Sequence, residues 1–327
     1  MLKNMFFLFA FFLISFLSPQ KEAVPIPVIF DTDMGPDYDD AGAIALLYAF
    51  ADSNKINVLA TMASTRYEGV AGVLNVFNTY FKRPDMPIGV PVGNAVEQRD
   101  WQHWTDSLLA RYPHQIKKNS DAEDAVNLYR KLLAKQPDNS VTIITVGFLT
   151  NIANLLQSKP DKYSPLSGVE LVKKKVKKMV SMAGKFPEGK EFNVFKDIEA
   201  SQYAFAHFPK PLYFCGFEIG EQIKCGLPLI HNEAVQNNPT KDVFRISIPQ
   251  AAEDSAGRKS WDEVTTLIAI SDYTPYYSTR EGSILVEKDG SNTWNEKGKN
   301  QFYFVDESAA ATMQQKIDQL MMHEPTH

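Results

Sequence analysis

Cysteine is scarce in this chain, with only Cys215 and Cys225 among 327 residues. So few cysteines exclude a small fold held together by disulfide bonds, and their spacing does not form a zinc-binding motif. Cys215 ends the apolar run Leu212–Cys215, which is typical of a buried strand, so a disulfide between the two stays an open alternative. The apolar share of 44% and the charged share of 22% indicate a folded chain with a substantial core.

The sequence also lacks an excess of basic residues and, after the amino terminus, a run that could span a membrane. Both absences bear on the partners of the protein. The net charge is −5, so there is no excess of basic residues that would favour nucleic acid. The one basic cluster, Lys173–Lys178, is interpreted as a solvated edge ahead of the apolar run Met179–Ala183, and an anion-binding patch is the alternative. After the amino terminus, no run is apolar and long enough to cross a bilayer.

The amino terminus has the layout of a secretory signal. Lys3 precedes the apolar run Met5–Leu17, and the chain then becomes polar at Ser18. The run is short for a membrane span, and this order of charged, apolar and polar residues is typical of a cleaved signal. We therefore expect residues 1–22 to be a signal peptide, cleaved between Ser18 and Ala23, and the mature protein to be periplasmic or secreted without a membrane anchor.

Strand-like and helix-like runs alternate along the rest of the chain, beginning with strand Val24–Phe30, helix Ala41–Phe50 and strand Ile56–Ala63. This alternation predicts an α/β fold with an open, mostly parallel, doubly wound (Rossmann-like) sheet. No linker or internal repeat interrupts it, so residues 23–327 are predicted to form a single domain. The further expected elements are helix Gly69–Phe81, strand Pro87–Val92, loop Gly93–Tyr112, helix Ala122–Lys135, strand Ser140–Val146, helix Asn151–Gln157, strand Lys178–Ala183, helix Ile198–Phe208, strand Leu212–Phe217, helix Val264–Ser271, a hairpin of residues 283–287 and 301–305, and helix Ala309–Met322.

An acidic stretch, Asp31–Asp40, follows the first strand and leads into the first helix. It holds five carboxylates within ten residues, and their repulsion must be offset by a cation. Carboxylate oxygens are hard ligands that suit Ca²⁺ or Mg²⁺, so the stretch predicts a metal site. A solvated acidic turn is the alternative, disfavoured because the carboxyl ends of parallel strands line the ligand crevice. Asp39 or Asp40 is also expected to cap the helix.

Other polar groups follow predicted strands further along the chain: Thr65, the Val146-Gly147 turn, Glu191 with Asn193, and Trp261-Asp262. In an open parallel sheet such strand ends meet at one edge, so we expect these distant segments to converge on the acidic stretch.

Together these motifs resemble the inosine–uridine-preferring nucleoside hydrolase family, over essentially the whole mature chain. In order, the motifs are Asp31-Thr32-Asp33-x-Gly35 with Asp39-Asp40-Ala41, then Val146-Gly147-x-Leu149-Thr150-Asn151-Ile152-Ala153, then Glu191-Phe192-Asn193, and Trp261-Asp262. The resemblance implies the nucleoside hydrolase fold, a homo-oligomer (dimer or tetramer), and Ca²⁺-dependent hydrolysis of the N-glycosidic bond of small-molecule ribonucleosides.

The resemblance also implies roles for single residues. It assigns the metal to Asp33, Asp40, the backbone carbonyl of Val146, and Asp262. Asp33 would also be the general base that deprotonates the attacking water. The ribose hydroxyls would be bound by Asp39, Glu191 and Asn193. An anionic cluster would in addition stabilise the oxocarbenium-like transition state of glycosidic cleavage.

Three departures from the family bear on the metal loop and the sugar site. The acidic loop is two residues longer than its commonest form, so Asp37 is extra. Contact of Asp37 with the ion stays an open alternative, and we expect a surface carboxylate. Thr65 stands where many members have Asn, and Lys185 stands where a ribose-binding Asn is usual. Lys185 could donate to a sugar hydroxyl, meet a phosphate or carboxylate, or point into solvent.

A fourth departure concerns the base. Trp261 precedes Asp262 where many members have a His that protonates the leaving base, and this matches the purine-preferring branch, in which an indole stacks on the base. Trp101 or Trp104 could form the other face of such a sandwich, with His103 as a proton donor. The alternatives are a core aromatic for Trp261 and local packing for the other two indoles.

Two other functions are weighed against this one. Phosphatases of the haloacid dehalogenase type also open on Asp-x-Asp, but they need Thr or Val where this chain has Gly35, and they do not use Asp39-Asp40. A non-catalytic nucleoside- or sugar-binding protein on the same scaffold, or a hydrolase of another ribosyl compound, stays open. Retention of Asp33 favours an enzyme, because binding alone needs no base.

Overall fold

A computed structural model describes residues 24–325. The expected signal peptide therefore lies outside the described residues, so the structure does not test that prediction. Within the described range, no helix combines the length and apolar content that a bilayer crossing requires.

The strands and helices of the described chain alternate as the sequence predicts. The strands are β1 (Ile26–Thr32), β2 (Ile56–Ala63), β3 (Ile88–Val90), β4 (Glu123–Asp124), β5 (Val141–Thr145), β6 (Val176–Met182), β7 (Glu188–Lys190), β8 (Leu212–Cys215), β9 (Lys224–Cys225), β10 (Arg258–Lys259), β11 (Tyr277–Val286), β12 (Ser291–Asn295) and β13 (Gln301–Asp306). The helices are α1 (Asp39–Asp52), α2 (Val70–Tyr80), α3 (Trp104–Arg111), α4 (Ala125–Lys135), α5 (Thr150–Gln157), α6 (Gly168–Lys175), α7 (Phe192–Lys196), α8 (Ile198–His207), α9 (Phe217–Gly220), α10 (Leu227–His231), α11 (Pro239–Ser247), α12 (Trp261–Ile270) and α13 (Ala310–Met321).

One sheet of 11 strands organises the described chain, in the order β4-β3-β2-β1-β5-β6-β8-β13-β11-β12-β7. The pairs from β4 through β13 are parallel, and the pairs of β13 with β11, β11 with β12, and β12 with β7 are antiparallel. A separate two-stranded sheet joins β9 and β10. The prediction of a mostly parallel sheet is confirmed.

Helices cover both faces of the sheet, so the fold is doubly wound. Successive residues of β1 show this, because Val28 and Phe30 pack with α1, α2, α12 and α13, whereas Ile29 packs with α4, α5 and α8 on the other face. A strand that is buried on both sides reads as a continuous apolar run, which is why β1 lacks polar alternation.

The carboxyl ends of the central strands meet at one edge of the sheet. Thr32 of β1 lies beside Ala63 of β2, and Asp31 lies beside Thr145 of β5. Backbone bonds continue this edge past the strand ends, since Ser64 N donates to Thr32 O at 2.8 Å and Val146 N donates to Asp31 O at 2.8 Å. The acidic stretch and the Val146-Gly147 turn are therefore neighbours, as expected.

Several segments fold differently from the sequence prediction, and two of them contain helices that it lacks. The expected loop Gly93–Tyr112 contains α3, and α6 was not expected at all. Ser167 begins α6 with a capping box, in which Glu170 accepts from the Ser167 backbone at 2.9 Å. This Ser-x-x-Glu signal was available in the sequence. The basic cluster spans the end of α6 and the start of β6, where most of its lysines are exposed or half-buried.

The hairpin predicted between residues 283–287 and 301–305 is wrong, because residues 283–286 take a different partner. Residues 283–286 of β11 pair with β12, and the part of β11 that pairs with β13 is Tyr277–Gly282. A tight turn explains the difference: Gly290 has a φ of +81°, and Ser291 N donates to the Asp289 carboxylate at 3.0 Å. This turn returns the chain directly along β11, and β12 thus takes the place expected for residues 301–305.

Two smaller questions are also settled. Cys215 and Cys225 are both buried and carry free thiols, so they do not form a disulfide. The N-cap of α1 is Tyr38, and Asp39 and Asp40 lie in the first helical turn. The expectation that Asp39 or Asp40 caps this helix was wrong, because both carboxylates bond to other parts of the chain.

Candidate functional site

A cavity of about 230 Å³ opens at the carboxyl edge of the sheet, somewhat below the roughly 300–1,000 Å³ of most pockets that bind small molecules. Its lining contains seven residues that the sequence predicted for the site: Asp33, Asp39, Val146, Glu191, Asn193, Trp261 and Asp262. The other lining residues are Asp37, Met182, Phe192, Phe217 and Arg258. The convergence expected from the strand ends is therefore present.

Gly147 allows the turn after β5 to approach Asp33. A Cβ atom at this position would lie 2.4 Å from the backbone nitrogen of Asp33 and 2.5 Å from Oγ of Ser64. Any side chain would push the two strand ends apart, so glycine brings the Val146 carbonyl and Asp33 to the same cavity. The Val146 carbonyl accepts a bond from Asn193 Nδ2 at 3.4 Å.

Asp40 is buried next to the cavity without lining it. One of its oxygens accepts a hydrogen bond from the Thr32 hydroxyl, and the other, Oδ2, has no hydrogen-bond partner among the described residues. Burial, followed by repulsion from Asp39, raises the pKa of Asp40 to about 7. A buried carboxylate oxygen with no donor is a vacant ligand position for a cation.

The pKa values of Asp33 and Asp262 are also raised well above the ordinary value, first by burial and then by repulsion from the neighbouring carboxylates. Such a cluster keeps protons at neutral pH unless a cation replaces them. The donors are all carboxylate or carbonyl oxygens, the set that a hard divalent ion prefers. The residues present therefore fit a metal ion of the kind that the sequence predicts.

Asp37 is part of this cluster, contrary to the expectation of a plain surface carboxylate. Its side chain is 42% exposed and pairs with Arg258 at 2.8 Å. One carboxylate oxygen from each of Asp37, Asp39 and Asp262 lies within 4.8 Å of the others. Two of these three, Asp37 and Asp39, were not among the predicted metal ligands.

Asp39 is held by four hydrogen bonds from the chain. Its Oδ1 accepts from Arg258 Nη2 at 2.6 Å and from Nε at 3.0 Å. Its Oδ2 accepts from the backbone nitrogens of Trp261 at 3.1 Å and Asp262 at 3.2 Å. A carboxylate has about four acceptor positions, so the chain itself uses the capacity that the sequence interpretation assigned to ribose.

Glu191 and Asn193 are positioned by the start of α7. The Glu191 carboxylate is the N-cap of this helix and accepts from Asn193 N at 2.7 Å, Gly184 N at 3.0 Å and Val194 N at 3.2 Å. Burial raises the pKa of Glu191 to about 7. Asn193 Nδ2 donates to Met182 O at 3.2 Å, so both side chains sit firmly at the cavity wall.

Trp261 lies in an aromatic wall made of Phe192, Phe217 and Trp261. Its indole Nε1 donates to Phe217 O at 2.8 Å, and the Phe217 and Trp261 ring centroids are 5.1 Å apart. The Arg258 guanidinium lies 5.1 Å from the centre of the indole ring. Trp261 is thus half-buried in the cavity wall, with Phe217 and Arg258 packed against its ring.

Four residues that the sequence interpretation placed near the substrate do not line the cavity. Thr65 is buried, and its Oγ1 bonds to the backbone of Val96 at 3.0 Å, which fastens the loop after β3. Lys185 places its Nζ 5.0 Å from the centre of the Phe217 ring. Trp101 is 60% exposed, and the His103 side chain is 70% exposed and pairs with Asp106.

Trp104, the alternative second face of a base sandwich, is fully buried in the core. The sandwich prediction therefore has no support in this structure, because α3 turns Trp104 inward and the preceding loop carries Trp101 outward.

Sequence reasoning missed Arg258 and the two phenylalanines of the wall. Phe192 stands inside the Glu191-Phe192-Asn193 motif, and Phe217 closes the expected strand Leu212–Phe217, so both were within reach. Arg258 stands three residues before Trp261, in a short segment with no periodic pattern. Only its position beside a motif could have drawn attention to it.

Known proteins resemble this chain in sequence. The family described as inosine-uridine preferring nucleoside hydrolase matches residues 28–322. A pyrimidine-specific ribonucleoside hydrolase RihA from Shewanella sp. (strain MR-7) is 28% identical over 201 residues, which is 60% of each chain. The RihA of Salmonella agona (strain SL483) is 31% identical over 196 residues, 55% of this chain and 57% of that protein. The chain thus aligns with about 60% of the length of these curated relatives.

Solved structures show the same fold at low identity. The plant nucleoside hydrolase PpNRh1 superposes with a TM-score of 0.68 at 20% identity, covering 91% of this chain and 98% of the other. A purine-preferring ribonucleoside hydrolase from Gardnerella vaginalis gives 0.70 at 15% identity, covering 90% and 98%. With the family match over almost all of the described residues, these likenesses lead to one conclusion: the chain belongs to the inosine-uridine preferring nucleoside hydrolase family.

Proposed function

We propose that this protein is a ribonucleoside hydrolase, which uses water to split the N-glycosidic bond between ribose and base and depends on Ca²⁺. One observation carries the proposal: the carboxylates of Asp33, Asp39 and Asp262 meet an aromatic wall in a single cavity. Beside that cavity, the buried Asp40 has one oxygen with no hydrogen-bond partner among the described residues. The names of the relatives and the metal dependence of the family support it.

In this proposal the ion is held by Asp33, Asp40, the Val146 carbonyl and Asp262. When bound, Ca²⁺ supplies a positive charge that lowers the pKa of a water and contacts the sugar diol. Asp33 takes a proton from the attacking water as general base. The remaining carboxylates stabilise the positive charge that develops on the ribose ring as the base departs.

The sugar and base have separate parts of the cavity. Glu191 and Asn193 are the proposed contacts for the ribose hydroxyls, because both line the cavity and are held in place by the start of α7. The base lies against the wall of Phe192, Phe217 and Trp261. Stacking on aromatic rings increases with contact area, and we therefore propose a preference for purine nucleosides.

Pyrimidine nucleosides are the second candidate substrate class. The curated relatives at 28% and 31% identity are named pyrimidine-specific, which favours this class directly. Against it stands the indole at position 261, which resembles the purine-preferring branch of the family. The two classes are separated by the same assay that tests the reaction.

The test is release of free ribose from inosine, guanosine, adenosine, uridine and cytidine, with Ca²⁺ present and after removal of Ca²⁺ by a chelator. We expect release with Ca²⁺, none after chelation, and a kcat/KM at least tenfold higher for a purine than for either pyrimidine. Asp33→Ala should lower kcat by about 10²–10⁴, the usual contribution of a general base. Asp85→Ala, at an exposed aspartate, is the matched control and should leave kcat unchanged.

Each other outcome rejects a defined part of the proposal. Binding of a nucleoside without ribose release points to the non-catalytic binding protein, and release that survives chelation rejects the metal. A pyrimidine preference rejects the purine assignment and supports the second candidate. Release of ribose only from other ribosyl compounds points to a hydrolase of a different substrate.

Location and assembly are further parts of the proposal. The signal-like amino terminus supports export to the periplasm or the medium, which cell fractionation tests. The family resemblance supports a homo-oligomer, a dimer or tetramer, which light scattering after size-exclusion chromatography tests.

A further inference from the structure

Arg258 is a cation inside the acidic cavity. Its guanidinium bonds to Asp39 at 2.6 Å, pairs with Asp37 at 2.8 Å and lies 3.6 Å from Asp254. Its side chain is only 11% exposed. A buried guanidinium among carboxylates is held firmly, because each partner would otherwise be a buried charge without a counter-charge.

The guanidinium binds two carboxylates, those of Asp37 and Asp39, that lie close to the proposed metal ligand Asp262. Asp37 and Asp39 contribute two of the three carboxylate oxygens that lie within 4.8 Å of one another, and Asp262 contributes the third. Both oxygens of Asp39 already accept bonds from the chain, one of them only from Arg258. Asp39 can therefore turn an oxygen toward a metal or a sugar hydroxyl only if Arg258 releases it.

We propose that Arg258 is an internal counter-ion whose positive charge opposes binding of the divalent cation, because it neutralises carboxylates that lie beside the proposed metal ligands. The inference rests on the proposed function, since it concerns the Ca²⁺ required there. In the cation-free protein Arg258 neutralises Asp37 and Asp39. Binding of the ion weakens these two pairs, because a guanidinium and a divalent cation in the same buried cavity repel each other.

Other contacts can keep Arg258 in place when it yields Asp39. The guanidinium lies 4.8 Å from the centre of the Tyr38 ring and 5.1 Å from that of Trp261, an arrangement that stabilises a cation between two aromatic faces. The Tyr38 hydroxyl in turn donates to Asp254 at 2.5 Å, so two of the groups around Arg258 are linked to each other without Asp39.

Arg258 and the longer acidic loop belong together. Asp37 and Tyr38, which lie in the longer part of that loop, both contact Arg258. Asp37 adds a negative charge to the cavity, and Arg258 offsets it. The loop and the arginine thus form a unit that sets how tightly this chain binds its metal.

The experiment measures the dissociation constant for Ca²⁺ alone, by calorimetry at pH 8, without any nucleoside. Arg258→Met removes the charge and retains the length of the stem, and we expect its Kd to fall at least tenfold below that of the wild type. Arg258→Lys keeps the charge and should stay within threefold of the wild type. Arg245→Met, at a largely exposed arginine on α11, is the matched control and should leave the Kd unchanged.

An equal or weaker Kd for Arg258→Met overturns the inference, and so does an equally large change in Arg258→Lys. If the methionine variant does not fold without metal, it is produced with Ca²⁺ and titrated with a chelator of known affinity, together with Arg258→Gln. The same fall in Kd is expected for both variants. A wild type that binds no Ca²⁺ at millimolar concentration rejects the proposed metal itself, whereas equal binding by wild type and variants rejects only the role of Arg258.

Discussion

Asn151 of α5 donates its side-chain amide to both oxygens of Asp31, each at 3.1 Å, and to the Ala63 carbonyl at 2.7 Å. The single amide therefore ties the ends of β1 and β2 to a helix on the face of the sheet. Tyr129 of α4 adds a hydroxyl bond to Asp31 at 2.8 Å. Asp31 stands two residues before Asp33, so these bonds hold the backbone that carries the proposed general base. Asp31 itself does not line the cavity.

The first prediction concerns this support. Asn151→Ala leaves the buried Asp31 carboxyl with fewer donors, and we expect the free energy of unfolding to fall by about 1–3 kcal/mol. Urea denaturation measures the change. Asn127→Ala, at an exposed asparagine of α4, is the control and should change stability by less than about 0.5 kcal/mol. Equal effects of the two substitutions would show that the Asp31 network contributes nothing specific.

The second prediction concerns the close approach at Gly147. Gly147→Ala places a Cβ atom 2.4 Å from Asp33 N, so the turn after β5 must move away from β1. We expect a loss of about 1–3 kcal/mol in stability, as in other overpacked sites, and at least a tenfold weaker Kd for Ca²⁺. Denaturation and calorimetry measure the two effects. Unchanged Ca²⁺ binding would show that the Val146 carbonyl is not a ligand.

The third prediction concerns pH and the cation-free protein. Burial raises the pKa of Asp31, Asp40 and Glu191 to about 7, above the usual carboxylate value. The folded state therefore binds more protons than the unfolded state between about pH 4 and 7, and stability falls as pH rises through this window. In a chelator, the Tm should be lower at pH 8 than at pH 5.

Added Ca²⁺ should act in the opposite sense, because ionised carboxylates bind a cation and protonated ones do not. We expect Ca²⁺ to raise the Tm strongly at pH 8 and hardly at pH 5, measured by thermal scanning. A cation-free Tm that does not vary from pH 5 to pH 8 would contradict the assigned pKa shifts.

The fourth prediction concerns Arg130, a residue that we expect to contribute to stability and not to the activity of the site. Arg130 is buried, binds Asp161 with two bonds at 2.8 and 3.1 Å, and donates to the backbone of Ser164 and Leu166, so it holds the connection between α5 and α6. Arg130→Met should lower the free energy of unfolding by about 2–4 kcal/mol, because several buried acceptors lose their donor. The kcat of the folded fraction should not change.

Lys131→Met, at the next position of α4, removes only a half-buried pair with Glu123 and is the control for this variant. Its stability should stay within about 1 kcal/mol of the wild type. A drop in kcat for Arg130→Met in fully folded protein would show that the α5–α6 connection contributes to the cavity after all.

The sequence by itself determined the architecture and the place of the site. Strand β2 has the bounds that its apolar run predicted, Ile56–Ala63, and the alternation of strands and helices was sufficient to predict the parallel sheet. The convergence of Asp33, Val146, Glu191 and Asp262 followed from the same pattern. These features are predictable because strand periodicity is local, and because the ends of parallel strands must meet at one edge.

Only the tertiary structure decided which partner each polar side chain takes. Arg258 and Asp39 are 219 positions apart, and no local sequence pattern predicts the hydrogen bond between them. The outward course of Trp101, the inward turn of Trp104 and the pairing of β11 with β12 likewise depend on how distant segments pack. A carboxylate can accept from any donor that the fold brings within reach, so its role is set by packing, whereas the order of strands and helices is set by local periodicity.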